Sequence, residues 1–281
     1  MCGRYLISTE EENIEMMRIM AEIYRKYFPD ESPSVPPPAP ASAPVPASVL
    51  SQSPSQMAQR KPPVFSGGEI FPGSRIPVRT ANGPRSFPVE LMRWGFPFPY
   101  GGAPSKSIIN ARSETVHQKQ MFAKLVNSNR CIVPANGFYE WKSTGVQKVK
   151  QKYRITTQNP SHYQDKTFFY MAGLFGHFPV DGLAVKGNTA FAEQGNTTLS
   201  GLGNITPAEL RNSAPAGLAA VPCVVILTTE ASASMNTIHN RMPVMLTAES
   251  VKTWLSDTPI EEITRLGLLS PWQHPLSIQA V

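Results

Sequence analysis

Apolar positions along this chain follow two rhythms. In "RYLIS" (4–8), "RCIVPANGFYEW" (130–141), "QKYRITTQ" (151–158), "TFFYMAGLFGHF" (167–178) and "PCVVILTTE" (222–230), apolar, aromatic and β-branched residues run together between turn residues. That is the pattern of strands. Between 9 and 28 the rhythm changes, and Ile14, Met17, Met20, Ala21, Tyr24, Tyr27 and Phe28 recur three and four residues apart. That spacing predicts an amphipathic helix, opened by a capping box of Ser8 and Glu11. Shorter helices are expected over 113–127, 231–238 and 247–256, the last with Thr247 as its N-cap. Strands at both ends with helices scattered between them predict an α+β fold rather than a βαβ repeat.

Two segments carry neither rhythm. From Asp30 to about Pro63, Pro, Ala and Ser dominate, and such a composition cannot bury enough apolar surface to order itself. A Gly-, Asn- and Ala-rich stretch over about 180–220 is expected to be a surface insertion between two strands. Ten of the 28 prolines among the 281 residues lie in the first segment, so the proline excess reflects a tether more than the fold. The net charge of +6 suits a polyanionic partner without requiring one. No apolar run reaches the length of a membrane span, and the acidic start "STEEENIE" does not read as a signal peptide.

Cysteine is sparse: Cys2, Cys131 and Cys223, with no CxxC pair. Free thiols in a cytoplasmic protein follow, without a zinc site or a disulfide framework. Cys2 stands out. Once Met1 is removed, that residue carries both an α-amine and a thiol, which no internal cysteine can offer.

Other chemistry concentrates in "INARSET" (Asn110, Arg112, Glu114), "NGFYEWK" (Glu140) and "IHNRMPV" (His239, Arg241). Each residue also has a purely structural use. Asn110 suits a helix cap, Glu140 the outer face of a strand, His239 a helix C-terminus, and the arginines surface ion pairs. Trp94 and Phe96, flanking Gly95, suit stacking on an exposed base and equally a core position at a strand end. The basic run Lys148, Lys150, Lys152 and Arg154 reads as a solvated hairpin.

In order along the chain, "MCGRY", "MRWGF", "INARSETV", "RCIVPANGFYEWK", "FFYMAGLF", "VVILTTEASASMNTIHNRMPVML" and "HPLSIQAV" resemble the successive blocks of the SOS response-associated peptidase (SRAP) family. Its members process abasic sites and crosslink to DNA. The expected fold is then α+β: one domain over 1–281, interrupted by the two loose segments, with a mostly antiparallel, barrel-like β core flanked by helices. The implied partner is single-stranded DNA containing an abasic site, handled by a cytoplasmic monomer that associates with the nucleoid during DNA damage. No metal, cofactor or membrane is implied.

The resemblance also implies roles. The α-amine of Cys2, with an ordinary pKa of about 7.7–8.0, attacks the aldehyde of the ring-opened sugar. Its thiolate then closes a thiazolidine. Asn110 holds the amine or a sugar hydroxyl, Glu140 orients the amine and relays its proton, and His239 serves the sugar ring oxygen as acid/base. Arg4, Arg112 and Arg241 grip flanking phosphates. Where the family usually has aspartates, this chain has Asn136 and Asn240, and loss of the second lowers the expected proton affinity of His239. The residues leave open peptidase, self-processing and strand-cleaving lyase activities. A rival reading, an N-terminal-nucleophile amidohydrolase or glutamine amidotransferase, shares Met-Cys-Gly but expects "Asn-Gly-Glu" and "His-Thr-Arg" blocks that are absent here. A second rival is a non-catalytic DNA-binding module in which Cys2 is incidental.

Overall fold

The computed structural model describes residues 3–7, 67–81, 90–97, 107–145, 149–158, 168–179 and 220–281. The expected helix over 9–28, the proline-rich segment and nearly all of the 180–220 stretch lie outside the described residues, as does Cys2.

The described chain runs through β1 (Arg4–Ile7), β2 (Gly68–Ile70), β3 (Arg75–Thr80), β4 (Glu90–Trp94), β5 (Phe96–Pro97), β6 (Ser107–Ile108) and β7 (Asn110–Arg112). Helices α1 (Gln120–Ala123) and α2 (Leu125–Ser128) lead to β8 (Arg130–Ala135), β9 (Gly137–Ser143), β10 (Lys150–Thr157), β11 (Phe169–Pro179) and β12 (Ala220–Glu230). The C-terminal part holds β13 (Arg241–Pro243), β14 (Met245–Leu246), α3 (Ala248–Leu255), α4 (Ile260–Arg265) and β15 (Leu276–Ala280).

Five strands close on themselves. The ladder runs β12–β4–β3–β8–β11 and returns to β12. All of its pairs are antiparallel except β12–β4. Strand alternation then sorts side chains into two cores. Ile76, Val78, Met92, Trp94, Cys131, Val133, Phe169, Met171, Val224 and Ile226, drawn from all five strands, fill one cluster, the packed interior of a small barrel. Their neighbours Ile132, Tyr170, Ala172, Leu174, Val225 and Leu227 belong to a second cluster with Trp254, Ile260 and Ile263 of the C-terminal helices. The long apolar runs read as strands because both faces are buried.

A second sheet, ordered β2–β1–β9–β10–β15, lays Tyr5, Ile7, Phe138 and Ile155 against the barrel interior. Tyr5 meets Trp94 edge-on at 5.3 Å between ring centroids, and Phe138 meets Phe169 at 6.4 Å. Each such pair adds about 0.5–1.5 kcal/mol beyond its buried area.

Several helices differ from expectation. The 113–127 stretch is a 3₁₀ turn at Ser113–Thr115 followed by two single-turn helices. Val116 and Phe122 are both buried, yet six residues at about 100° each separate them by about 240°, so one straight helix cannot bury both. Only Met235–Thr237 is helical within 231–238, again as a 3₁₀ turn. Helix α3 is present with Thr247 as its cap, the hydroxyl accepting from the Ser250 amide at 3.2 Å. Helix α4 has no counterpart in the sequence expectations.

Gly95 joins β4 to β5, with φ at 117° and its amide donating to the Val224 carbonyl at 2.8 Å. A Cβ there would lie 2.8 Å from the Ser107 Cβ. Gly95→Ala is therefore expected to cost about 2–3 kcal/mol, read as a fall of several degrees in Tm. An unchanged Tm would show that the β5–β6 hairpin shifts freely.

Candidate active site

Strand β12 organises the site. On one side β7 runs parallel to it, pairing Asn110 with Ile226 and Arg112 with Thr228. On the other, β13 runs antiparallel, pairing Glu230 with Arg241. "INARSET" and "IHNRMPV", more than a hundred residues apart, thus meet across three residues of one strand. Asn110 is half-buried and Arg112 exposed. The backbone just before Asn110 is anchored from the barrel, since the Trp94 indole N–H donates to the Ile109 carbonyl at 3.0 Å.

His239 lies between the Met235–Thr237 turn and β13. Its Nδ1 accepts the Arg241 amide N–H at 3.0 Å. That bond needs a lone pair on Nδ1, so the neutral ring carries its proton on Nε2. Burial holds the imidazole below its ordinary value.

Glu140 comes from the second sheet. It is 2% exposed, on the β9 face that carries Phe138 and packs toward the barrel, and it pairs with Tyr153 of β10. The β1–β9 register, Arg4 with Tyr139 and Tyr5 with Phe138, brings Gly3 alongside Glu140. Burial pushes the Glu140 carboxyl above the usual range. The charge of Lys150 acts on both Glu140 and His239, so the two groups share one electrostatic neighbourhood while their proton affinities move toward each other.

Other expected site residues are placed differently. Trp94 and Phe96 are 0% exposed, Trp94 in the barrel interior and Phe96 packed on Phe178 at 4.7 Å. Neither presents a ring face to a base, which corrects the stacking expectation; their apolar area is worth more inside the core. Arg241 is also no free phosphate hook. Only 8% exposed, it holds Glu114 through both terminal nitrogens at 2.7 and 2.9 Å.

Arg4 pairs across the strand with Tyr139, so its side chain leaves the sheet on the face opposite to Glu140. There it meets Glu69 at 2.8 Å and lies over Phe71 and Trp141 at 4.6 and 5.0 Å. Lys152 joins the same group, bonded to Glu69 and 4.1 Å from the Tyr139 ring centroid. Burial alone would raise the Glu69 carboxyl, but the hydrogen bonds from Lys152 and Arg4 outweigh it and hold it below its ordinary value. The expected solvated hairpin is thus partly an ordered cation–aromatic surface.

Across the full sequence, a family model of "SOS response associated peptidase (SRAP)" matches residues 1–281. The chain belongs to the SRAP family. Among curated relatives, the abasic site processing protein YoqW of Bacillus subtilis is 30% identical over 184 residues, 64% of this SRAP chain and 63% of the relative. The abasic site processing protein HMCES of Xenopus tropicalis is 30% identical over 210 residues, 67% of this chain and 52% of that protein. The chain therefore spans just under two thirds of the first relative's length and about half of the second's. Two crystal structures share the SRAP chain's fold. One is a protein from Bordetella bronchiseptica, with TM-score 0.56 and 19% identity, covering 100% of this chain and 99% of that one. The other is from Bacteroides thetaiotaomicron, with TM-score 0.53 and 22% identity, covering 76% and 77%. No helix among the described residues of this SRAP chain is long and apolar enough to cross a membrane.

Sequence reasoning missed two supports of the SRAP site. One is Trp94 as anchor of the Asn110 strand; its place in "MRWGF" was visible, its indole partner was not. The other is Glu114, noticed in "INARSET" without a task.

Proposed function

We propose that this chain processes abasic sites in single-stranded DNA by capturing the ring-opened sugar on Cys2, once Met1 has been removed. The observation that carries the reading is the β1–β9 register, which sets the start of β1 alongside the buried carboxyl of Glu140. Burial raises the carboxyl and lowers the imidazole, which brings the two proton affinities closer, as proton exchange through a shared site needs. The relatives' names, abasic site processing proteins, supply the substrate class.

The chemistry follows from these assignments. His239, neutral and carrying Nε2–H, gives that proton to the sugar ring oxygen as the C1′–O4′ bond breaks, and the proton released by the C1′ hydroxyl as it becomes the aldehyde restores the imidazole. The α-amine of Cys2 adds to the C1′ aldehyde. Glu140, whose proton affinity burial raises, takes the amine proton and returns it to the departing hydroxyl, so that water leaves and an imine forms. The Cys2 thiolate then adds to the imine carbon, the nitrogen is reprotonated, and a thiazolidine closes. One water is lost overall and no electrons are transferred. Asn110 orients the amine or a sugar hydroxyl. Exposed Arg112 holds a flanking phosphate, whereas Arg4 leaves the sheet on the face opposite to Glu140 and is engaged by Glu69.

The direct test is intact mass. Protein whose first residue is Cys2, incubated with a single-stranded oligonucleotide bearing one abasic site, is expected to gain the oligonucleotide's mass less one water in a heat- and SDS-stable species. An undamaged oligonucleotide should give none. Glutamine hydrolysis without any adduct would replace this reading with the amidohydrolase one, and reversible binding alone would replace it with a DNA-binding module.

A further inference from the structure

Glu114 begins as an unassigned acid in "INARSET" and ends at the centre of a hydrogen-bonded chain. It lies on the 3₁₀ turn directly after β7. Its Oε1 accepts from Arg241 Nη1 at 2.7 Å and from the Glu230 amide at 3.2 Å, and its Oε2 accepts from Arg241 Nη2 at 2.9 Å. Glu230 and Arg241 face each other on the β12–β13 ladder. Glu114 therefore grips both members of the rung that closes the 231–240 loop, where the Ala231 amide also donates to the Asn240 carbonyl at 3.1 Å.

The grip continues inward. Arg241 Nη2 donates to the Thr228 carbonyl at 2.7 Å and lies 3.3 Å from its hydroxyl. The Thr228 hydroxyl in turn donates to the Ala111 carbonyl at 3.5 Å. From the other end of the same arginine, the backbone amide holds His239 Nδ1. The strand of Asn110, the central strand and the histidine loop are tied together through one guanidinium.

We infer that Glu114 is a positioning residue of this site: by clamping Arg241 it holds the Arg241 amide against His239 Nδ1 and keeps the imidazole in its Nε2–H tautomer, aimed as a donor. The inference rests on the proposed role of His239. A plain stabilising ion pair is the weaker account, because the Glu114 side chain is 39% exposed and exposed pairs contribute little. What this carboxylate adds is direction, with both oxygens engaged and both members of the rung held.

The test combines Glu114→Gln, Arg241→Gln and the double variant, each measured for adduct rate on abasic-site single-stranded DNA and for the ¹⁵N signals of the His239 ring. His239→Gln identifies those signals by their loss. In the wild type, Nδ1 should resonate as an unprotonated nitrogen and Nε2 as a protonated one. In Glu114→Gln the two should move toward a common average, and the adduct rate should fall about 10-fold to 100-fold. The double variant should be no slower than the slower single variant, as for two residues acting in series. If Glu114→Gln fails to fold, Glu114→Asp keeps the charge on a shorter arm and should move the ring signals in the same direction by a smaller amount. An unaltered ring signature in Glu114→Gln, or in a folded Glu114→Asp where Glu114→Gln does not fold, overturns the inference. So does a double variant slowed by the product of both single effects. A wild type that forms no adduct would instead sink the proposed reaction, while the ring signature still decides the role of Glu114.

Discussion

Cys2→Ser is expected to abolish the heat-stable adduct with abasic-site DNA while leaving a form that borohydride can trap. The α-amine survives this substitution, so an imine still forms and reduction captures it. Without a thiol the second bond cannot close, and the imine hydrolyses on heating. Retention of Met1 removes the product for a different reason. The Cys2 nitrogen is then an amide, and the only α-amine belongs to a residue without a thiol. Intact mass with and without borohydride separates the two cases. A heat-stable adduct that persists in Cys2→Ser would move the nucleophile elsewhere and end the thiazolidine reading.

Glu140→Gln should separate stability from activity. Loss of the proton relay is expected to slow adduct formation about 10²- to 10⁴-fold. The same change should stabilise the fold at neutral pH. Glu140 is buried and its carboxyl is raised above its ordinary 4.5, so the folded state binds a proton more tightly than the unfolded one. Its contribution to stability is fully present below pH 4.5 and is lost as pH rises through the folded value. Glutamine cannot ionise and escapes that loss. The Tm of Glu140→Gln relative to wild type should thus change little near pH 4 and rise between there and neutrality. The gain is about 1.4 kcal/mol for each pH unit separating the folded from the unfolded value. A flat Tm difference across this range would show that the carboxylate is compensated in the folded state and that burial does not control its proton.

Three of the five barrel strands, β8, β11 and β12, were legible because both of their faces are apolar, whereas β3 and β4 were not among the expected strands. The runs at 130–141, 167–178 and 222–230 needed only length and bounding turns. Helix 113–127 was misread because its apolar residues are buried against different neighbours, and a one-dimensional pattern carries no record of which surface each one meets. Trp94 and Phe96 show the same limit from the other side. Aromatics beside a glycine suit a base or a core equally, and what decides is that β12, β4, β3, β8 and β11 close into a ring around one of them while the Phe178 ring covers the other.

The sequence by itself determined which groups are present: a thiol at Cys2, a carboxyl at Glu140, an imidazole at His239. These are properties of residue type and position, and no folding changes them. The tertiary structure decided how that chemistry is tuned and who supports it. Burial, which no local spacing encodes, raises Glu140 and lowers His239. The β12 ladder, pairing strands more than a hundred residues apart, turns Arg241 from a free cation into the strut between Glu114 and the histidine.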